Sequence, residues 1–207
     1  MRSVESAGET RLSLAATGRR LGIRREGSSC RVQAALVGLI GLWPVAAGCG
    51  YELLFPPLAV VEEVDLSRYV GKWYEIARYP NFFQQQCFGG TTAEYTLRED
   101  GSIRVINVCR EGTLDGRESR IEGFATIADP STPAKLTVTF FPPFGAPYWI
   151  IELDPEYQWA VVGEPSRSTL WILSRTASLP DGVYQDILSR LPEKGYDPAR
   201  LILTPQS

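Results

Sequence analysis

The sequence predicts an all-β fold: an eight-stranded antiparallel up-and-down barrel, followed by a C-terminal α-helix and a short ninth strand. Eight short runs of strand-forming residues follow one another, and Leu136–Phe140 alternates between apolar and polar side chains. Turn-forming pairs such as Asp100-Gly101 and Asp154-Pro155 separate the runs. Because an up-and-down barrel closes its own sheet edges, eight strands with tight turns favour this architecture. The predicted strands are residues 72–79, 91–98, 102–110, 120–128, 134–141, 147–154, 157–163 and 169–175.

Short helical elements are predicted on either side of the strands. Residues 65–69 form a helical turn that closes one end of the barrel. Ser178 is the predicted N-cap of the C-terminal helix, with Asp181 three residues later. Pro192 is expected to end or kink this helix, and residues 201–203 form the ninth strand. The helix has an apolar stripe, which predicts that it packs on the barrel wall. The stripe consists of Val183, Ile187, Leu188 and Leu191.

The first 48 residues have the composition of a secretory leader. They hold seven Arg against three Glu, a net charge of +4, and an uncharged stretch follows from Val32. Small residues immediately before Cys49 resemble a bacterial lipoprotein signal, in which Cys49 is lipidated and becomes the mature N-terminus. Plain secretion and an uncleaved membrane helix remain the alternatives. We therefore divide the chain into a leader (1–48), a tether (49–64) and a barrel domain (65–207).

Composition excludes several functional classes. Residues 49–207 hold fourteen Lys and Arg against twenty-one Asp and Glu, a net charge of −7, which argues against nucleic acid as a partner. The chain of 207 residues has no His, so the usual general base and the commonest metal ligand are both missing. We expect no catalytic residues, no metal and no cofactor.

Four sequence blocks in order carry a family resemblance. They are GKWYEIARYPNFFQ, AEYTLREDGSIRVINVC, YQWAVVGEPSR and LWILSRT. Together they resemble the bacterial outer-membrane and apolipoprotein D branch of the lipocalin family, from about Asp65 to Thr204. The resemblance implies a lipocalin (calycin) barrel that holds one small lipophilic ligand, and an outer-membrane location for the lipidated form, with the periplasmic face expected.

The resemblance also assigns a structural signature. Gly71 and Trp73 open the first strand, and Arg175 closes the last. A guanidinium can cover an indole face by a cation–π contact. We expect Trp73 and Arg175 to seal the closed end, so that their mutation costs stability before it costs binding.

Two of the four cysteines fall in the predicted barrel. A hairpin about Asp100-Gly101 brings Thr91 roughly opposite Cys109, and Cys87 lies just before that strand. A Cys87–Cys109 disulfide is therefore plausible in an oxidising envelope, with two unpaired thiols as the alternative.

Ligand-binding residues are predicted from the resemblance and from strand parity. Tyr95, Asn107, Phe140 and Trp171 fall on positions that resemble the pocket of apolipoprotein D. Parity adds Val105, Leu136 and Val138, although each apolar residue could equally belong to an ordinary core. Asn107 is the most specific prediction, because an amide inside an apolar barrel needs a partner such as a ligand head group or water.

These observations predict binding, storage or transport of a fatty acid or lysophospholipid. The aromatic loops 80–90 and 141–148 line the mouth of the barrel, or form an exposed patch that meets a membrane or a second subunit. A homodimer is a further expectation from the family. One alternative function is an envelope stress or interaction module with an incidental pocket. The other is a lipid-converting enzyme, against which the missing His and the missing Cys on the first strand both count.

Overall fold

The computed structural model describes residues 56–206, which form one closed antiparallel barrel. The predicted leader, Cys30, Cys49 and the first part of the tether lie outside the described residues. No helix among residues 56–206 is long and apolar enough to cross a membrane. The strands are β1 (Gly71–Arg78), β2 (Cys87–Leu97), β3 (Ile103–Glu111), β4 (Glu118–Ile127), β5 (Lys135–Phe141), β6 (Phe144–Leu153), β7 (Trp159–Gly163), β8 (Leu170–Ser174) and β9 (Ile202–Leu203).

The strand order confirms the predicted topology. Each strand from β2 to β8 pairs with the next one, β8 pairs with β1, and β1 pairs back with β2 to close the barrel. The short β9 pairs with the second half of β1. We call the end at which β1 begins the closed end, and the end at which β1 finishes the open end.

Two apolar layers lie on the two faces of the sheet. The inner layer fills the closed half of the barrel and includes Trp73, Val105 and Ile150. The outer layer lies between the sheet and the second helix and includes Ile172 and Ile187. Because side chains alternate between the faces of a strand, the same strands supply both layers.

The helical elements agree with the prediction except at one cap. Helix α1 (Leu66–Tyr69) begins at Asp65, whose carboxylate accepts a hydrogen bond from the backbone N–H of Ser67. Helix α2 (Asp181–Arg190) packs Ile187 on the barrel. The prediction that Ser178 caps α2 is wrong, because Pro180 occupies the N-cap position and makes no side-chain hydrogen bond there.

The second half of the predicted tether differs from a free spacer. The chain begins at Pro56 in the described residues and passes from the outer layer, where Leu58 is buried, to the inner layer, where Val64 is buried. The backbone N–H of Val61 donates to the carbonyl of Ile150 at 3.1 Å. These apolar residues at intervals of about three bury enough surface to hold an irregular segment against the sheet, so only residues before Leu58 remain for a tether.

Candidate functional site

The predicted structural signature meets at the closed end. Trp73 is fully buried, and its indole N–H donates to the carbonyl of Tyr69 at 2.8 Å. The Arg175 guanidinium lies 3.8 Å from the centre of the Trp73 ring. It also donates to the carbonyls of Lys72 and Arg68, at 3.1 and 2.6 Å. Arg175 therefore ties α1 and β1 together while covering the indole, which supports the structural role predicted for it.

Gly71 has a conformation that other residues rarely adopt. Its φ is +95°, and a Cβ there would lie 3.4 Å from a guanidinium nitrogen of Arg175. A side chain at this position would be strained by the backbone conformation, although its Cβ would make only an ordinary van der Waals contact with Arg175.

Three tyrosines form a hydrogen-bonded group just above Trp73. The Tyr148 hydroxyl lies 2.8 Å from that of Tyr69 and 2.9 Å from that of Tyr95. Burial raises the pKa of Tyr95 to about 12 and raises the pKa values of Tyr69 and Tyr148 well above their usual range. The three phenols therefore stay neutral at physiological pH and satisfy one another inside the barrel. Sequence analysis identified only Tyr95 of this group.

The predicted ligand residues divide between two levels of the barrel. Tyr95, Val105, Leu136 and Val138 are buried within the inner core of the closed half. Tyr95 pairs directly with Val105 across β2 and β3. The three half-buried members lie closer to the open end and are Asn107, Phe140 and Trp171.

A polar network that the sequence analysis missed lies beside Trp171. The indole N–H of Trp171 donates to Gln84 Oε1 at 3.0 Å, and Gln84 Nε2 donates to Glu75 Oε2 at 2.8 Å. Glu75 also accepts from Arg78 at 3.0 Å and from the hydroxyl of Thr204. Glu75 and Arg78 are both buried, so this pair holds its charges inside the open half of the barrel.

Strand alternation predicts that Glu75 faces the interior, but it does not predict this for Arg78. Glu75 lies two residues after Trp73 and therefore shares its inward face. A bulge between Glu75 and Ala77 shifts the register, so that Arg78 lies opposite the inward-facing Trp171. Strict alternation would have placed Arg78 outside, and no local sequence signal marks the bulge.

Four buried polar atoms in the open half have no hydrogen-bond partner among the described residues. They are Asn107 Oδ1, Thr91 Oγ1, Arg78 Nε and Asn81 Oδ1. Ala93 lies opposite both Trp73 on β1 and Asn107 on β3, which places Thr91 and Asn107 on the inner face. Because an unpaired buried polar atom is costly, these atoms indicate a place where a ligand or water completes the site.

The predicted disulfide is confirmed. Cys87 at the start of β2 is bonded to Cys109 near the end of β3, with Cα atoms 5.5 Å apart. The Cys87 carbonyl also accepts a hydrogen bond from Arg78 at 3.3 Å. The disulfide therefore fixes the strand beside the polar network.

The described residues contain no group of three or more metal-ligating side chains. Exposed phenylalanines lie in two of the connections at the open end. They are Phe82, Phe83, Phe88, Phe141 and Phe144.

Comparison with known proteins places this barrel in a family. The sequence model of the lipocalin-like domain matches residues 64–206. Temperature-induced lipocalin-1 of Arabidopsis thaliana is 45% identical over 158 residues, which cover 72% of this chain and 83% of that protein. The outer membrane lipoprotein Blc of Escherichia coli K12 is 40% identical over 153 residues, covering 73% and 85%. Apolipoprotein D of Mus musculus is 34% identical over 182 residues, covering 83% and 93%.

A solved structure supports the fold independently. Insecticyanin from the tobacco hornworm Manduca sexta superposes with a TM-score of 0.59 at 24% identity, over 74% of this chain and 86% of that one. Lipocalins are generally binding and transport proteins for small hydrophobic molecules. The domain match, the sequence relatives and the closed barrel agree, and this chain belongs to the lipocalin family.

Proposed function

We propose that this chain binds one lipophilic ligand in the open half of its barrel and stores or carries it in the cell envelope. The observation that carries the proposal is the group of Asn107, Phe140 and Trp171. These inward, half-buried residues lie above a filled core, and Asn107 Oδ1 has no partner among residues 56–206. An apolar wall with a few placed polar groups is typical of a small-molecule site.

A fatty acid or a lysophospholipid fits this chemistry. Burying on the order of ten methylenes contributes about 8 kcal/mol before ordering costs are subtracted. A head-group hydroxyl would then donate to Asn107 Oδ1, and the Thr91 hydroxyl would donate to an ester or carboxylate oxygen. Palmitate is a suitable first probe because its chain exceeds that length.

The proposed location is the outer membrane, with Cys49 lipidated and the barrel on the periplasmic face. Small residues before Cys49 and the basic, then apolar, leader support it. The name of the Escherichia coli relative, an outer membrane lipoprotein, supports it too. A homodimer remains a further expectation from the family.

The test combines native mass spectrometry of the chain purified from its own envelope with displacement of a fluorescent acyl probe. We expect one acyl ligand per barrel, and about tenfold weaker binding of lysophosphatidylcholine in Trp171→Ala, since an indole face is lost. The matched control is Trp149→Ala, because Trp149 belongs to the outer layer, where the Lys135 ammonium lies 4.5 Å from its ring.

Two results would contradict the proposal and favour a different function. An empty barrel that ignores acyl lipids would favour an envelope interaction module, whose phenotype would survive Trp171→Ala. Conversion of the bound lipid to a product would favour an enzyme.

A further inference from the structure

A group of exposed aromatic side chains lies at the open end of the barrel. We call Phe82, Phe83, Phe88, Phe141 and Phe144 the rim. Phe82 and Phe144 are 81% and 79% exposed, which is unusual for side chains of this size. The rim comes from the β1–β2 connection, the start of β2 and the β5–β6 hairpin, which all lie at the open end.

The rim is continuous with the proposed ligand site. The Phe83 ring lies 5.2 Å from that of Phe82 and 6.2 Å from that of Trp171. Trp171 faces the interior, so an apolar path leads from the exposed rim into the open half of the barrel.

The chain enters the described domain at this same end. The Arg167 guanidinium, in the β7–β8 loop, donates to the carbonyl of Pro56 at 2.7 Å. From there the segment descends along the wall until the backbone N–H of Asp65 donates to the Tyr157 hydroxyl at the closed end, at 2.8 Å. The described part of the chain therefore begins beside the open end.

The distance from Cys49 to Pro56 limits how an anchored barrel can be oriented. Pro56 is seven positions after Cys49, a stretch that spans at most about 24 Å. Strand β7, which leads into the loop that holds Pro56, has five residues, which at about 3.3 Å per residue and a tilt of about 40° rise about 13 Å. An anchor beyond the closed end would use more than half of the available stretch to pass this wall, whereas an anchor at the open end leaves the whole stretch free, so the open end is the favoured side.

We propose that the open end faces the bilayer in which Cys49 is anchored, and that the rim docks on lipid so that the ligand passes directly between membrane and barrel. This inference rests on the proposed lipidation of Cys49. The occupant of the rim is the lipid surface itself.

The charges beside the rim determine what kind of lipid surface it fits. In the β3–β4 hairpin, which also lies at the open end, Arg110 pairs with Glu118 at 3.4 Å and Arg117 pairs with Glu111 at 2.8 Å. Since these charges compensate one another and residues 49–207 carry a net −7, nothing at the rim selects an anionic surface. Docking is therefore apolar, works on zwitterionic lipid and changes little with salt.

The experiment places one reporter at each end of the full lipidated chain. Phe144→Trp puts an indole on the rim, and Leu97→Trp is the matched control on an exposed apolar position at the closed end. Both are reconstituted into phosphatidylcholine vesicles that contain brominated acyl chains, which quench nearby indoles. We expect the fluorescence that Phe144→Trp adds over the parent to fall by about half or more, while that of Leu97→Trp is unchanged.

A pair of variants tests the consequence for transfer. Phe82→Ser with Phe144→Ser is expected to slow uptake of a fluorescent acyl lipid from vesicles about tenfold, while binding of the same lipid from solution is unchanged. The control, Leu97→Ser, removes an exposed apolar side chain away from the rim.

Each remaining outcome overturns the inference in a recognisable way. Equal quenching of both reporters, or quenching of Leu97→Trp alone, contradicts the orientation while leaving ligand binding intact. If the Phe144→Trp chain is dimeric and its added indole is already shielded from solvent without vesicles, the rim contacts a second copy of the chain and not lipid. If the parent chain does not float with vesicles, Cys49 does not anchor it, and the proposed orientation is wrong whatever ligand the barrel binds.

Discussion

The two halves of this barrel differ in how the polar groups of their interior are hydrogen-bonded. Inside the closed half the buried aromatic polar groups have partners: Trp73 donates to the carbonyl of Tyr69, and the three tyrosine hydroxyls bind one another. In the open half Asn107, Thr91 and Arg78 each keep one buried atom without a partner among residues 56–206. The closed half is thus filled and internally hydrogen-bonded, whereas the open half is where we propose that a ligand binds. Stability and binding should separate along this division.

The largest expected effect is the loss of the closed-end indole. Trp73→Ala should lower the free energy of unfolding by about 3–5 kcal/mol, because a fully buried ring and its contact with Arg175 are both removed. Urea denaturation measures it. Trp171→Ala is the comparison and should cost about 1–2 kcal/mol, since Trp171 is half-buried. Equal losses at the two positions would erase the distinction between the halves.

The disulfide should give the next largest effect. The double variant Cys87→Ser with Cys109→Ser opens a loop of sequence separation 22, worth about 3 kcal/mol in the chain-entropy model. Thermal unfolding of the oxidised parent, the reduced parent and the double variant measures it. Because Cys87 adjoins Arg78, ligand binding should weaken as well, and unchanged binding would show that the polar network does not depend on the disulfide.

A smaller effect is expected from the tyrosine group. Tyr148→Phe leaves the hydroxyls of Tyr69 and Tyr95 without their shared partner, which should cost about 1–3 kcal/mol. The control is Tyr184→Phe on α2, whose ring belongs to the outer layer, and it should be nearly neutral. Equal losses in the two variants would show that the hydroxyl network adds nothing.

The same tyrosines predict an alkaline pH dependence. Tyr95 ionises near pH 10 in the unfolded chain but at about 12 when folded, so between these values the unfolded state binds fewer protons. The stability contributed by the neutral phenol is therefore complete below about pH 10 and is lost as pH rises towards about 12. Urea midpoints from pH 8 to 12 should fall, and less steeply in Tyr95→Phe. A flat or rising profile would contradict the buried environment.

The smallest predicted effect on stability is in the open half. Asn107→Val replaces an amide whose Oδ1 has no partner among the described residues, so the folded barrel should be unchanged or slightly more stable. Affinity for a lysophospholipid should nevertheless fall about tenfold, since the head group loses a hydrogen bond. Isothermal titration and urea denaturation of the same variant separate the two outcomes. A destabilised variant with normal affinity would show that Asn107 is a core residue and does not bind the ligand.

Period-2 patterning explains why so much of the barrel was predictable. Strand alternation and turn residues located all eight strands, and they brought Cys87 close enough to Cys109 to predict the disulfide. Parity also placed Val105, Leu136 and Val138 on the inner face, and the family resemblance added Tyr95, but neither could say that these four fill the closed half. That depends on Tyr148, which reaches Tyr95 from a strand 53 residues away.

Local irregularities account for the features that the sequence patterns did not predict. The bulge after Glu75 turns Arg78 inward against the alternation. Ser178 has the residue type of an N-cap, but Pro180 begins the helix, because its fixed φ suits that position and tertiary packing sets the start of α2. The tether resembled a spacer by its Pro and Glu content, whereas Leu58 and Val64 supply the contacts that hold it to the barrel.

The most direct test of the central claim is a crystal structure of the chain with a fatty acid brominated at the end of its acyl chain. Anomalous scattering then locates the bromine without reference to the protein density. We predict one peak inside the barrel, between Trp171, Phe140 and the tyrosine group, with the head group near Asn107. A peak on the outer wall, or none at full ligand saturation, would contradict the claim that the open half is the binding site.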